Sequence, residues 1–236
     1  MAELKPVYDE DGVCLYRGDC VEVLPLLPSG HGVVITDPPF SERTHKNARS
    51  GNKKSVSSRT SSPINFRHVD DWELTPILSA CARVSKSWVV TNLDYSMAVA
   101  YEHEPPKGLR VMRVGAWVKT NPMPQLTGDR PAQGWEAIAY FHKPGRASWN
   151  GGGHAGNFYL PSARLTEHPT EKPMPMVRQF IEWFTDPGDV VIDPFAGSGT
   201  TLLAARELGR RAIGIEKDPS YCNLIQLRLS QGVLPL

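Results

Sequence analysis

Short runs of aliphatic and β-branched residues recur along the chain with almost no polar alternation. Val13-Cys14-Leu15-Tyr16, Val33-Val34-Ile35-Thr36, residues 87–92 (Ser-Trp-Val-Val-Thr-Asn), Val190-Val191-Ile192 and residues 211–215 are of this kind. Strands buried on both faces read this way. Residues 110–119 and 134–142 also have strand character. Between the runs, apolar residues return at helical spacing. Leu74, Ile77, Leu78 and Cys81 share one face of a helix predicted over 73–86, and Val177, Phe180, Ile181 and Phe184 line another from Pro173 to about Thr185. Shorter helices are predicted near 20–27, over 94–101 and from Thr200 to Leu208, with Gly209 as the C′ residue. Asp218 and Pro219 form an N-cap and first helical position. Strands alternating with helices predict an α/β fold with a doubly wound, mostly parallel sheet. Residues 41–68 and 144–172 read as loops.

At 236 residues the chain suits a single domain spanning 1–236, able to bury a core without staples. Hydrophobic residues at 40% and charged ones at 22% exclude a disordered chain. No apolar run reaches the roughly 20 residues that span a bilayer, and the first residues carry no apolar leader, so a cytoplasmic protein away from membranes is expected. Four scattered cysteines form no Cys-x-x-Cys pair, which leaves a metal site unsupported. Net charge is only +1, but it is unevenly spread. Residues 41–68 hold seven Lys/Arg against Glu42, a local +6 that leaves −5 for the rest.

Two strand ends carry unusual chemistry. The run Val190-Val191-Ile192 leads into Asp193-Pro194-Phe195-Ala196-Gly197-Ser198-Gly199-Thr200-Thr201. Strand, Gly-x-Gly, helix is a device that brings a backbone turn close to a ligand. Glu216 follows Gly197 by 19 residues, near the spacing at which an acid meets a ribose. No lysine follows the glycines, which excludes a P-loop and disfavours a nucleotide hydrolase. Leu202 stands where a dinucleotide fingerprint wants its third glycine. A nucleoside cofactor without pyrophosphate fits better, and S-adenosylmethionine is of that type. At the other strand end stands Asp37-Pro38-Pro39-Phe40. Two prolines fix the backbone and leave carbonyls without competing N–H groups. A carboxylate, a carbonyl and an aromatic plate suit a planar ring bearing an amine.

Together these motifs resemble the amino-methylating DNA methyltransferases. Asp37-Pro38-Pro39-Phe40 is similar to the family's catalytic motif, and 193–201 to its cofactor motif. Their order resembles the permuted beta group, which implies a Rossmann-like S-adenosylmethionine-dependent fold in permuted order. His168-Pro169-Thr170-Glu171-Lys172-Pro173, Gly18-Asp19-Cys20, and Trp117-Val118-Lys119 with Asn121-Pro122-Met123-Pro124 and Glu136 are similar to further elements of the group. The resemblance covers about residues 12–232. It implies catalysis by Asp37, Pro38, Pro39 and Phe40, and a cofactor site of Asp19, Cys20, His168, Thr170, Lys172, Asp193, Phe195, Gly197, Ser198, Gly199, Thr200, Glu216 and Lys217. Glu216 would take the ribose and Asp19 the adenine end, while Lys172 would pair with the cofactor carboxylate. The expected activity is methyl transfer from S-adenosyl-L-methionine to the exocyclic amine of a flipped base in double-stranded DNA, with Asp at position 37 leaning to adenine N6 over cytosine N4. Arg43, Lys46, Arg49, Lys53, Lys54, Arg59 and Lys119 are the expected DNA contacts, with 41–70 and 120–165 as recognition elements. The group often dimerises, so a homodimer is among the expectations. At the sequence level a cytosine-N4 enzyme, an RNA or small-molecule methyltransferase and an inactive DNA-binding relative stay open.

Overall fold

The computed structural model describes residues 5–39, 71–125, 128–162 and 171–231. All nine strands among them join one sheet in the order β1-β2-β9-β8-β3-β4-β6-β5-β7. They are β1 (Tyr8–Glu10), β2 (Val13–Arg17), β3 (Gly32–Thr36), β4 (Ser85–Leu93), β5 (Arg110–Lys119), β6 (Trp135–His142), β7 (Phe158–Leu160), β8 (Val190–Asp193) and β9 (Arg211–Glu216). The central block β2-β9-β8-β3-β4 is parallel throughout. β6 runs against both β4 and β5, and β1 against β2. The unalternated apolar runs are the central strands, as their burial on both faces requires: every residue of β3 and β8 is buried.

Helices cover both faces. α4 (Met174–Phe184), α5 (Thr200–Glu207) and α6 (Pro219–Ser230) set Met176, Phe180, Leu202 and Ile225 against Val33, Val90 and Val191. On the other face α1 (Cys20–Val23), α2 (Asp71–Val84) and α3 (Tyr95–His103) set Leu74, Leu78 and Met97 against Val34, Val89 and Ile192. From β8 the chain crosses through α5 to β9, while from β3 it crosses to β4 in the opposite sense. The winding therefore reverses between β8 and β3. A crevice opens at the carboxyl ends of the strands at such a point, where this class of sheet binds ligands.

Two elements depart from the expectations. β1 is a polar three-residue strand held by a hairpin, with Asp11 (φ 50°) and Gly12 (φ 75°) supplying the left-handed turn. β7 interrupts the expected loop over 144–172 and pairs with β5. It is too short for periodicity to reveal, and is anchored by Phe158 ring contacts to Phe180 and Trp183. The expected loop over 41–68 lies outside the described residues.

Candidate active site

The glycine turn is tied to its neighbours on three sides. Asp193, at the end of β8, is buried and accepts hydrogen bonds from Thr36 Oγ1 at 2.7 Å and the Phe195 amide at 3.1 Å. Burial raises its carboxyl above the usual range, partly offset by these donors and Thr201. Asp193 thus fastens the turn to the end of β3. Gly197 (φ 53°) and Gly199 (φ 83°) take left-handed conformations, and a Cβ on Gly199 would lie 2.9 Å from Ile225. The Gly197 amide donates to Glu216 Oε2 at 2.8 Å, and the Asp218 amide to Oε1 at 2.7 Å. Glu216, raised by burial and steadied by these amides, closes the turn from the next strand. Leu202 replaces the third glycine because the space comes from β9: a Cβ on Gly214 would lie 2.6 Å from Leu202.

The third tie was not foreseen. Glu171 Oε1 accepts from Thr200 Oγ1 and from Arg228 Nη2, each at 3.0 Å. Arg228 also donates to the Ser198 carbonyl at 2.8 Å, and buried Ser198 shares a 3.1 Å hydroxyl contact with Thr200. Glu171 lies inside a quoted motif, whereas Arg228, on α6, carries no local signal. At the end of β2, Asp19 caps α1 through the Val21 amide and pairs with Lys217 at 2.8 Å. The Lys217 hydrogen bond holds its carboxyl below the ordinary range. Cys20 is buried and desolvation pushes its thiol up to about 12. It is therefore a neutral packing group at neutral pH.

Asp37 stands one residue beyond β3, with Pro38 buried behind it. Its Oδ2 accepts from Lys172 Nζ at 2.5 Å. Lys172 in turn faces Glu136 Oε2 at 3.4 Å, and Glu136 Oε1 pairs with Lys119 Nζ at 2.7 Å. Both ammonium groups sit over Trp117, at 5.9 and 5.0 Å from its ring centre. The result is a chain of alternating charge, Asp37–Lys172–Glu136–Lys119, along the carboxyl edge. Burial pushes Asp37 up to about 6; the Lys172 charge opposes this and Glu136 and Asp193 reinforce it. Burial alone would also raise Glu136, but Lys172 and Lys119 outweigh it and hold that carboxyl low. Lys172 would be lowered by burial, yet Asp37 and Glu136 keep it above the usual lysine range, hence charged. Asp37 Oδ1 is buried and has no hydrogen-bond partner among the described residues.

The two strand-end motifs therefore meet on adjacent strands, joined by the Thr36–Asp193 bond. Lys172 bonds Asp37, and Lys119 bonds Glu136. Phe40, His168, Thr170 and Arg43, Lys46, Arg49, Lys53, Lys54 and Arg59 lie outside the described residues. Among those described, no group of three or more His, Cys, Asp or Glu could hold a metal ion, and no helix is long and apolar enough to cross a membrane.

The family model described as DNA methylase, of the N6/N4 type, matches residues 32–227. The chain belongs to that family. The type II methyltransferase M2.LlaDCHI of Lactococcus lactis subsp. cremoris is 27% identical across 97% of this chain and 93% of its own. M2.DpnII of Streptococcus pneumoniae is also 27% identical, over 95% and 92%. Among solved structures, the complex of M1.HpyAVI with SAM superposes with a TM-score of 0.66 at 26% identity, covering 92% of this chain and 99% of that one. The cytosine-N4-specific PvuII DNA methyltransferase gives 0.73 over 95% and 88%, but at 17% identity, which speaks to fold alone.

The protein is thus an S-adenosylmethionine-dependent DNA methyltransferase of the amino-methylating family. The crevice fits that cofactor. α5 begins at Gly199 without a side-chain cap, so its first amides offer donors to a carboxylate. Glu216 spends one lone pair of each oxygen on a backbone amide, and a carboxylate has further acceptor sites for hydroxyls. Lys217, at the same edge, is paired with Asp19, in keeping with a ligand that has no phosphate.

Proposed function

We propose that this methyltransferase modifies adenine N6 in duplex DNA, with Asp37 as the group that receives the amine. One observation carries the reading: Asp37 Oδ1 is a buried acceptor without a partner among the described residues, beside the glycine turn, while Oδ2 is taken by Lys172. An unsatisfied buried oxygen costs free energy unless a ligand donates to it. The amine nitrogen is a poor nucleophile because its lone pair is delocalised into the ring. Asp37 Oδ1 and the Pro38 carbonyl accept one N–H each, which favours the tetrahedral nitrogen needed for in-line attack. Positive charge grows on that nitrogen as the reaction proceeds, so these fixed acceptors bind the transition state better than the substrate. The bound cofactor supplies a methyl carbon on a good sulfur leaving group. The N–C bond forms as the S–C bond breaks, and the nitrogen's surplus proton passes to Asp37 and then to solvent.

The remaining roles follow the crevice. Glu216 takes the ribose hydroxyls and Asp19 the adenine end; the turn from Gly197 to Thr200, with His168 and Thr170, holds the amino-acid end. Phe40 stacks on the flipped base, worth about 1–3 kcal/mol, against a flipping cost of a few. The +6 run over 41–68 contacts phosphates, which makes activity fall with salt. Adenine rather than cytosine is favoured by Asp at position 37, and the type II relatives favour a role beside a restriction enzyme. Mass spectrometry of nucleosides from treated duplex DNA tests the reading, with N6-methyladenine expected. Asp37→Ala should lower turnover at least 100-fold while cofactor binding, measured calorimetrically, persists. N4-methylcytosine would overturn the base assignment, and unchanged turnover the role of Asp37.

A further inference from the structure

Among the described residues, Asp37 Oδ1 is one of several buried polar atoms at this edge without a hydrogen-bond partner. Asn92 is 3% exposed, and its Nδ2, a donor, has no hydrogen-bond partner among the described residues. Buried amide donors in native proteins are nearly always satisfied, so an exception asks for an explanation. Its place in the sheet supplies one. β3 and β4 are parallel neighbours with Ile35 beside Val90 and Thr36 beside Thr91. The next step of that register sets Asn92 beside Asp37. Side chains alternate along a strand, so Asn92 shares its face with Val90, which lies in the core beneath α4 and α5. Glu136 belongs to that same face through Ile138 and Tyr140 of β6, with Ile138 paired to Asn92. Among the described residues, a buried acceptor and a buried donor without partners thus lie on neighbouring strand ends, Asp37 beyond β3 and Asn92 near the end of β4, with Glu136 Oε2 a further buried acceptor on the same face.

We propose that Asn92 Nδ2 donates to the ring nitrogen adjacent to the target amine, so that Asn92 and Asp37 together read the amine-and-ring-nitrogen edge of the flipped base. The inference rests on the placement of the amine at Asp37 proposed above and adds a residue that touches the base. The pair presents one acceptor and one donor. Adenine offers the complement through its N6 amine and N1, and cytosine through its N4 amine and N3. Guanine and thymine present a carbonyl and a ring N–H on that edge, which would meet Asp37 and Asn92 with like groups opposed in at least one position. A site with both polar atoms buried rejects such mismatches strongly, because each leaves a desolvated group unpaired. Asn92 therefore selects the class of base, and orients the ring so that the amine points at Asp37.

The test deletes either partner of the proposed bond. Nucleosides from treated DNA identify the methylated base, and sequencing of modified positions supplies the recognition site. Duplexes are then made with 1-deazaadenine at the target (3-deazacytosine if the product is a methylcytosine), which replaces the ring nitrogen by C–H and keeps the amine. Native protein should lose at least tenfold in kcat/KM on the deaza duplex. Asn92→Ala should lose at least tenfold on the ordinary duplex and treat the two duplexes within twofold of each other, with calorimetric cofactor affinity unchanged. A native protein indifferent to the deaza base overturns the proposal without any variant being needed. So does an Asn92→Ala protein that keeps the native discrimination ratio. Failure of the underlying reading shows separately: Asp37→Ala would then methylate the ordinary duplex as well as native protein does.

Discussion

Replacing Lys172 with Met separates two roles that the segment Thr170-Glu171-Lys172-Pro173 could assign to it. In the structure, Lys172 Nζ lies 2.5 Å from Asp37 Oδ2 and 3.4 Å from Glu136 Oε2, with its side chain 7% exposed. Removing it leaves two carboxylates facing each other in a desolvated site. Removing one partner of a buried ion pair costs about 3–5 kcal/mol, or roughly 2–4 pKa units at 1.36 kcal/mol each. The Asp37 side chain is 25% exposed, which argues for the lower end. Its carboxyl, at about 6 in the native protein, should then titrate roughly 2 units higher. The sign follows from which form works: the ionised carboxylate accepts the amine N–H, so activity rises with pH through the Asp37 pKa. Native kcat/KM should show an acid limb near 6 and be nearly full at neutral pH. In Lys172→Met the limb should move roughly 2 units up. At neutral pH the variant should lose about tenfold, and recover most of it roughly 2 units higher. A labelled-methyl assay on duplex DNA across the pH range, with calorimetric cofactor affinity alongside, decides the matter. An unmoved acid limb together with a large loss of cofactor affinity would refute the reasoning and place Lys172 on the cofactor carboxylate.

Glu136→Gln perturbs the same carboxylate in the opposite direction. It removes a negative charge that raises Asp37, so the acid limb of kcat/KM should shift below 6, and a limb that moves upward would contradict the charge order. Gly199→Ala forces an L-residue into φ 83° with its Cβ 2.9 Å from Ile225 Cγ1. Stability should fall by at least about 1 kcal/mol, read from thermal melts, and cofactor affinity should fall with it because the turn must shift; an unaltered melt would show that Ile225 yields freely.

The sequence carried the parts of this molecule in which local chemistry and tertiary position coincide. Gly197 and Gly199 announce a turn because their conformations are local, and Asp37-Pro38-Pro39 is rigid whatever surrounds it. The central strands were legible because burial on both faces leaves an apolar run. Contacts made across the fold were not. Lys172 is 135 residues from Asp37, and the family pattern placed it with the cofactor. Arg228 reaches Glu171 and Ser198 from an ordinary helix face. Asn92 ends an apolar strand and looks like the polar stop of a ladder; only the register beside Asp37 and the missing partner set it apart. β1 and β7 have three residues each, below the length at which alternation exists.

The alternating row Asp37–Lys172–Glu136–Lys119 explains how a catalytic carboxylate with one oxygen buried can still serve. Desolvation pushes Asp37 toward its protonated form, and a protonated carboxyl cannot offer both oxygens as acceptors. Lys172 pulls the carboxyl the other way, toward the ionised form. Glu136 divides the attention of Lys172, and Lys119 keeps Glu136 ionised in turn. The carboxyl is left at about 6. Geometry follows from the same bonds, because Lys172 fixes Oδ2 and thereby aims Oδ1. Burial, which makes an Oδ1 without a partner among the described residues expensive, also keeps water from competing for it once the base arrives. A general acceptor on the surface would have an ordinary pKa without help, but it would be hydrogen-bonded to solvent and would stabilise the developing charge far less.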